Sequence, residues 1–277
     1  MELLTREGMI ASGVLRDTGQ TCKTHGLTLY ARKMPNLDNK ETLICWKCTT
    51  ENIQKRTKDA DLEYSTRAML ANGYDLFKKE SILSADIAKA TLKNYEVKND
   101  IDDKALNYSK RIIRDYLKGM EGNAVLQGPP GVGKSHLSIS IAKNLNEMFK
   151  SYNQQKSVIF VSFSLLTRLV KDTFKYNDKE SKYSEERMTK LLTKCDYLII
   201  DDLGKESSTG NSIEQASKWT YTFLFNILDN RTNTIINTNF NTKDLAKIYD
   251  KAMLDRIMKG AKNNTFNYPE NAESKRF

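Results

Sequence analysis

The chain has 277 residues, 39% of them hydrophobic and 29% charged, with four cysteines and a formal net charge of +9. This supports one sizeable core plus a small satellite domain, and the basic excess points to a polyanionic partner or a lysine-rich solvated surface. No window resembles a membrane span, and the opening MELLTREGMIASGVLRD lacks a signal's apolar run, so the expected location is cytoplasmic and disulfides are not expected.

The first chemical signal in chain order is Cys22-Lys23-Thr24-His25, followed after residues 26–44 by Cys45-Trp46-Lys47-Cys48. A two-residue gap lets the chain turn tightly around one ion, so Cys22, His25, Cys45 and Cys48 make a zinc ligand set in two pairs. Three thiolates and an imidazole close a tetrahedral site with no open position, which marks the Zn2+ as structural. The spacer GLTLYARKMPNLDNKETLI reads as short alternating segments around a Pro35-Asn36 turn. The rival reading is a redox pair, but no thioredoxin-like βαβ unit surrounds Cys45 and His25 would go unexplained.

Residues 51–69, ENIQKRTKDADLEYSTRAM, are charge-rich and read as a solvated helix or linker. Next comes a helix candidate, SILSADIAKATLKNY, with Ile82, Ile87 and Leu92 in loosely helical register.

From Asn123 the text NAVLQGPPGVGKSHLSISIAKNLNEMF reads as strand, glycine loop and helix. Residues 128–135, GPPGVGKS, fit the phosphate-loop pattern in its required context. Gly128, Gly131 and Gly133 let backbone amides approach phosphate oxygens, Lys134 reaches the β/γ-phosphates, and the Ser135 hydroxyl is a Mg2+ ligand. Leu137, Ile141, Leu145 and Met148 mark one apolar face of the following helix.

Residues 171–194, KDTFKYNDKESKYSEERMTKLLTK, interleave lysine with Phe174, Tyr176 and Tyr183, either a single-stranded DNA contact or a solvated loop. A second apolar strand, Tyr197-Leu198-Ile199-Ile200, ends in Asp201-Asp202. In a phosphate-loop enzyme the first acid assists Mg2+ and the second polarises the attacking water. A third, Thr234-Ile235-Ile236, runs into Asn237-Thr238-Asn239, where Asn239, with Asn237 as the fallback, would position that water.

GPPGVGKSHL, the DYLIIDDLG stretch, INTNF and MLDRI together resemble the ATPase motor of DnaC/DnaI-type replicative helicase loaders of the AAA+ class, to which IstB transposition helpers are close cousins. The resemblance covers roughly residues 80–277 by motif order. It implies an α/β AAA+ fold, a parallel sheet flanked by helices and without a C-terminal lid domain, and ATP-bridged self-association. The implied ATP-binding set is Gly128, Pro129, Pro130, Gly131, Val132, Gly133, Lys134, Ser135 and His136, with Asp201. Also implied are an arginine finger, Arg256, acting in the neighbouring subunit, and a second sensor, Arg276. The Glu273-Ser274-Lys275-Arg276 stretch departs from the family's Gly-x-Ser-aromatic-Arg form. Tyr95 falls near the adenine in this comparison, as a base contact or a core residue.

The expected organisation is a zinc-binding, helicase-interacting domain over 1–55, a helical linker over 56–90 and the ATPase over 91–277. The expected function is ATP-dependent deposition of a hexameric replicative helicase on single-stranded DNA, with no membrane partner. A zinc-bearing N-terminus resembles phage and Gram-positive loaders more than IstB helpers. An IstB-like regulator of a transposase is the alternative. A zinc-containing P-loop kinase is a third class, disfavoured by the paired aspartates followed by an Asn sensor.

Overall fold

The computed structural model describes residues 6–33, 41–71, 73–176, 178, 180–209 and 212–275. The chain divides into two compact units, residues 1–65 and 66–277.

The first unit holds α1 (Arg6–Ala11) and an antiparallel sheet of β1 (Leu15–Thr21), β2 (Thr28–Lys33) and β3 (Glu41–Ile44) in the order β1-β2-β3. Tyr30 pairs with Ile44 and Leu15 with Arg32, which brings the tip between β1 and β2 to the end of β3. The Pro35-Asn36 turn expected between β2 and β3 lies outside the described residues. The helix α2 (Trp46–Ala71) begins in this unit. Its described side chains are mostly exposed, as its charge-rich sequence dictates. Among the described residues only Leu15, Tyr30, Ala31 and Cys45 form a buried apolar set here.

In the second unit α3 (Gly73–Glu80), α4 (Ala85–Ala88) and α5 (Asp100–Leu117) precede β4 (Ala124–Gln127) and α6 (Lys134–Ser151). Then follow β5 (Val158–Ser162), α7 (Phe163–Lys175), α8 (Glu185–Lys194), β6 (Tyr197–Leu203), the short hairpin β7 (Ser208–Thr209) and β8 (Ser212–Ile213), and α9 (Lys218–Asp229). The unit ends with β9 (Thr234–Thr238), α10 (Thr242–Ile248), α11 (Lys251–Ile257) and β10 (Thr265–Asn267). Among the described residues no helical domain follows β10.

Five of these strands form a wholly parallel sheet in the order β10-β4-β9-β6-β5. Continuous apolar runs are what a sheet covered on both faces requires, and the alternation along each strand divides them between two cores. Val125, Ile159, Val161, Leu198, Ile200 and Ile236 turn toward residues of α7, α8 and α9. Ala124, Leu126, Phe160, Ile199 and Ile235 turn toward α5 and α6. The order sets β4, β9 and β6 side by side, so the phosphate loop, the Asn-rich strand end and the acid pair open at one edge. Arg231, buried, closes the end of α8 by donating to the carbonyls of Leu192, Thr193 and Cys195.

The expected helix over 81–95 is corrected. Ile82 is extended, its N–H donating to the Phe160 carbonyl while Ser162 N–H donates to its own carbonyl. Only Ala85–Ala88 is α-helical. Thr91 and Asn94 then form a reciprocal capping box that starts a separate 3-10 turn, Leu92–Asn94. Thr91 is held extended there, so the helical register cannot run through it.

Candidate functional site

The first cluster is built by two turns. Cys22 N–H donates to the Leu27 carbonyl and Gly26 N–H to the Cys22 carbonyl, both at 2.8 Å, closing a tight loop that needs the positive φ of Gly26, 64°. Cys45 follows β3 directly and Cys48 sits in the first turn of α2, with Thr49 N–H returning to the Cys45 carbonyl. One ligand atom from each of Cys22, His25, Cys45 and Cys48 lies within 4.8 Å of all the others. The separations are 3.7 Å for Cys22 Sγ to Cys48 Sγ, 3.2 Å for His25 Nδ1 to Cys48 Sγ and 3.8 Å for Cys45 Sγ to His25 Nδ1. Zinc–sulfur bonds of about 2.3 Å in a tetrahedron place ligand atoms about 3.8 Å apart. The four residues fit a zinc ion.

Glu51, which carries no sequence signal, lies 3.3 Å from His25 Nε2 and fixes the ring with Nδ1 facing the sulfurs. The backbone N–H groups of His25 and then Thr24 pull the Cys22 thiol down to about 6, while burial and the neighbouring sulfurs push Cys48 up to about 11. Thiolates this close repel one another, and a shared dication relieves that repulsion.

The second site opens at the carboxyl ends of β4, β6 and β9. The N-cap of α6 is Gly133, at a φ of 98°, which has no side chain to cap the helix, so the first N–H groups of α6 are left for a ligand at the loop. Packing explains the glycines as directly as phosphate approach does. A Cβ on Gly131 would lie 2.2 Å from Ser274 Oγ, and one on Gly128 would lie 2.4 Å from Tyr268 Cβ. Lys134 Nζ donates to the carbonyls of Gly128 and Pro129 at 2.8 Å each. Pro130, Gly131, Gly133, Lys134, Ser135, His136, Asp202, Lys205, Asn239, Phe240 and Lys275 line a cleft of about 670 Å3.

The acids are separated by a local irregularity. The register between β6 and β9 shifts between Ile200 and Leu203, and Asp202 takes a positive φ of 59°. That break turns Asp201 inward and Asp202 into the cleft. Asp201, 4% exposed, accepts from Ser135 Oγ at 2.9 Å and from Asn237 Nδ2 at 2.7 Å. Burial, then the charge of Asp202, raises its carboxyl to about 6 against the pull of Asn237, Ser135 and Lys134. Asp202 pairs with Lys205 at 3.0 Å. The two asparagines part company: Asn239 lines the cleft with Asp202, whereas Asn237 is buried and donates to both Asp201 and Ser138 Oγ.

Residues 51–269 match the family model described as IstB-like ATP binding protein. The chain belongs to the IstB-like ATP-binding family. No curated protein matches it. Among solved structures, the DnaC helicase loader is similar at a TM-score of 0.50 and 20% identity, over 66% of this chain and 98% of that one. DnaI is similar at 0.44 and 22%, over 69% and 94%. Domain III of the Thermotoga maritima replication initiation protein DnaA is similar at 0.49 and 18%, over 69% and 70%.

Within the IstB-like fold the remaining expected residues are dispersed. His136 bonds the Thr91 carbonyl through Nε2 at 2.8 Å and meets the Tyr95 ring edge-on, anchoring residues 91–95 as well as lining the cleft. Tyr95 is 7% exposed and packed against Gly133. Arg256 lies on α11, with Nε and Nη2 on Asp229 Oδ1 at 2.8 and 2.6 Å and its guanidinium 3.9 Å over Phe225; it does not line the cleft of its own chain. Arg276 lies outside the described residues. Its neighbour Lys275, singled out by no motif, pairs with the buried Asp102 at 2.9 Å, sits 3.8 Å over the Tyr95 ring and donates to the Glu96 carbonyl. Its backbone N–H donates to Gly131 O at 2.9 Å.

Proposed function

We propose that this IstB-like ATP-binding protein is an ATPase that loads a hexameric replicative DNA helicase onto single-stranded DNA. The observation that carries the reading is where the family match begins. It starts at residue 51, after Cys48, so all four ligand residues lie outside the stretch matched to the IstB-like motor. A structural zinc staple on a small separate unit is what a rigid partner-binding arm requires, and that arm would engage the helicase. The fold shared with the DnaC helicase loader supports the same reading.

In the motor, the phosphate loop and the open N-terminus of α6 would cradle the phosphates, with Lys134 leaving its two loop carbonyls for the β/γ oxygens. Ser135 and Asp201 would hold Mg2+, whose charge offsets that of the phosphates when bound. Asp202 in the cleft is the group that polarises water, and Asn239 beside it orients that water. Asn237 instead holds Asp201 in place. Arg256, which does not line its own cleft, is assigned to the site of a neighbouring subunit across an ATP-bridged interface.

Co-purification with the host's replicative helicase, with and without ATP, tests the reading. ATP-dependent capture lost in Cys45→Ser supports it, and no capture under either condition sinks it. The family match itself favours a second reading, regulation of a transposase on duplex DNA. A stable filament on duplex DNA in ATP, with no helicase capture, would establish that one.

A further inference from the structure

We propose that the groove between α5 and the end of α6 is a binding surface for single-stranded DNA; the identity of the strand rests on the loader reading, the surface on its own geometry. Lys110 and Arg114 on α5 and Lys118 at its C-cap recur every four residues, about 6 Å apart along one helix face. All three are exposed. Arg114 in the last turn and Lys118 at the C-cap complement the helix dipole, while the row as a whole concentrates three cations on one face for a polyanion to meet. Among the described residues the side chains of Lys110 and Lys118 make no ion pair. Arg114 has only Asp115 at 3.8 Å, a carboxylate that Arg111 already holds at 3.2 Å.

The hollow beside this row measures about 540 Å3, and no carboxylate lines it. Ile113, Leu117 and Met148 line it with apolar surface, and Asn144 and Gln154 add two uncharged polar groups. At its end stands Tyr152, the residue that caps α6, 60% exposed. Cations and an exposed ring lining one hollow are the two parts of a single-strand site, charge for phosphates and a flat face for bases.

The lysine- and aromatic-rich run 171–194 is the weaker candidate on the same criteria. Its cations are largely engaged: Lys175 with Asp172 at 2.9 Å, Lys190 with Glu186 at 3.3 Å, and Lys182 on the Lys79 carbonyl. Phe174 is set edge-on against Trp219.

The test is fluorescence anisotropy of the full chain with labelled oligothymidylate between about 50 and 200 mM salt, with oligouridylate and a duplex of equal length as comparison arms. Replacing Lys110, Arg114 and Lys118 together by Ala should flatten the salt dependence by about 2 in log–log slope, since each phosphate contact on a single strand contributes about 0.7. Tyr152→Ala should weaken binding by about 5- to 150-fold, the loss of one stacked base. Both variants should bind ATP as the parent does, which shows that they fold. Parental affinity and slope in the triple variant overturn the groove while leaving the loader reading standing. A parent that binds no oligothymidylate overturns the groove as well, whereas the loader reading falls only with the helicase capture described above. A parent that prefers the duplex, or binds only the RNA strand, overturns the assigned occupant.

Discussion

Lys275→Met should loosen the phosphate loop from a distance. Lys275 and Asp102 are 14% and 5% exposed in their side chains and meet at 2.9 Å, a buried ion pair that ties the segment after β10 to the start of α5. Removing the ammonium leaves Asp102 buried with Lys98 N–H at 2.9 Å and the Tyr95 hydroxyl at 3.5 Å. Breaking such a pair from one side costs about 3–5 kcal/mol, and these remaining donors place the expected loss near the lower end, about 3 kcal/mol. In a unit of this size that corresponds to roughly 6–12 °C in melting temperature. Ser274 and Lys275 N–H brace Gly131, so ATP affinity should fall as well. The double variant Asp102→Asn/Lys275→Met removes both charges and should lose less than the sum of the singles, with a coupling of about 1–3 kcal/mol. Thermal melts and calorimetric ATP titrations of the four proteins measure this. Strictly additive losses, or a Lys275→Met protein melting with the parent, would refute the argument that this pair secures the loop.

Asp201→Asn should stabilise the nucleotide-free protein above pH 6. A carboxyl raised from 3.8 to about 6 in the folded state contributes its stability below pH 3.8 and loses it as pH rises through 6. By pH 8 the ionised form costs about 3 kcal/mol, which the amide avoids while still accepting from Ser135 and Asn237. A melting temperature at pH 8 no higher than the parent's contradicts this. Metal analysis should find one zinc per chain, and Cys45→Ser should unfold the first unit, by loss of binding energy on the order of 10 kcal/mol, yet leave ATP binding intact; circular dichroism and ATP titration check the two halves. Mixing Lys134→Ala with Arg256→Ala, each inactive alone, should restore ATPase activity because one subunit lends its arginine to the other's loop. No recovery in co-assembled mixtures would assign Arg256 to the Asp229 and Phe225 contacts alone.

The two halves of the Cys/His cluster, the phosphate loop and the acid pair were legible because each is local. The acids are adjacent, each Cys/His pair is three residues apart and the loop spans 128–135, and apolar runs flank the loop and the acids and announce their strands. The joining of the two Cys/His pairs across 19 intervening residues was inferred from ligand type. The supports of those groups were not legible. Glu51 is one glutamate among many until α2 turns it onto His25. Lys275, Tyr268 and Ser274 meet the phosphate loop only through β10, a three-residue strand too short to leave a periodic signal. The helix expected over 81–95 failed because its apolar spacing was right while Thr91 and Asn94 favoured a new cap over continuation. Asn237 and Asn239 look equivalent in INTNF. Only the end of β9 at Thr238 separates the buried brace from the residue facing the cleft.

The most direct measurement is the amount of hexameric replicative helicase retained on closed circular single-stranded DNA when this protein and ATP are added. The loader reading predicts retention well above that of helicase alone, lost with Lys134→Ala, which cannot hold the nucleotide, and with Cys45→Ser, which lacks a folded arm. Helicase retained equally with and without the protein would contradict it.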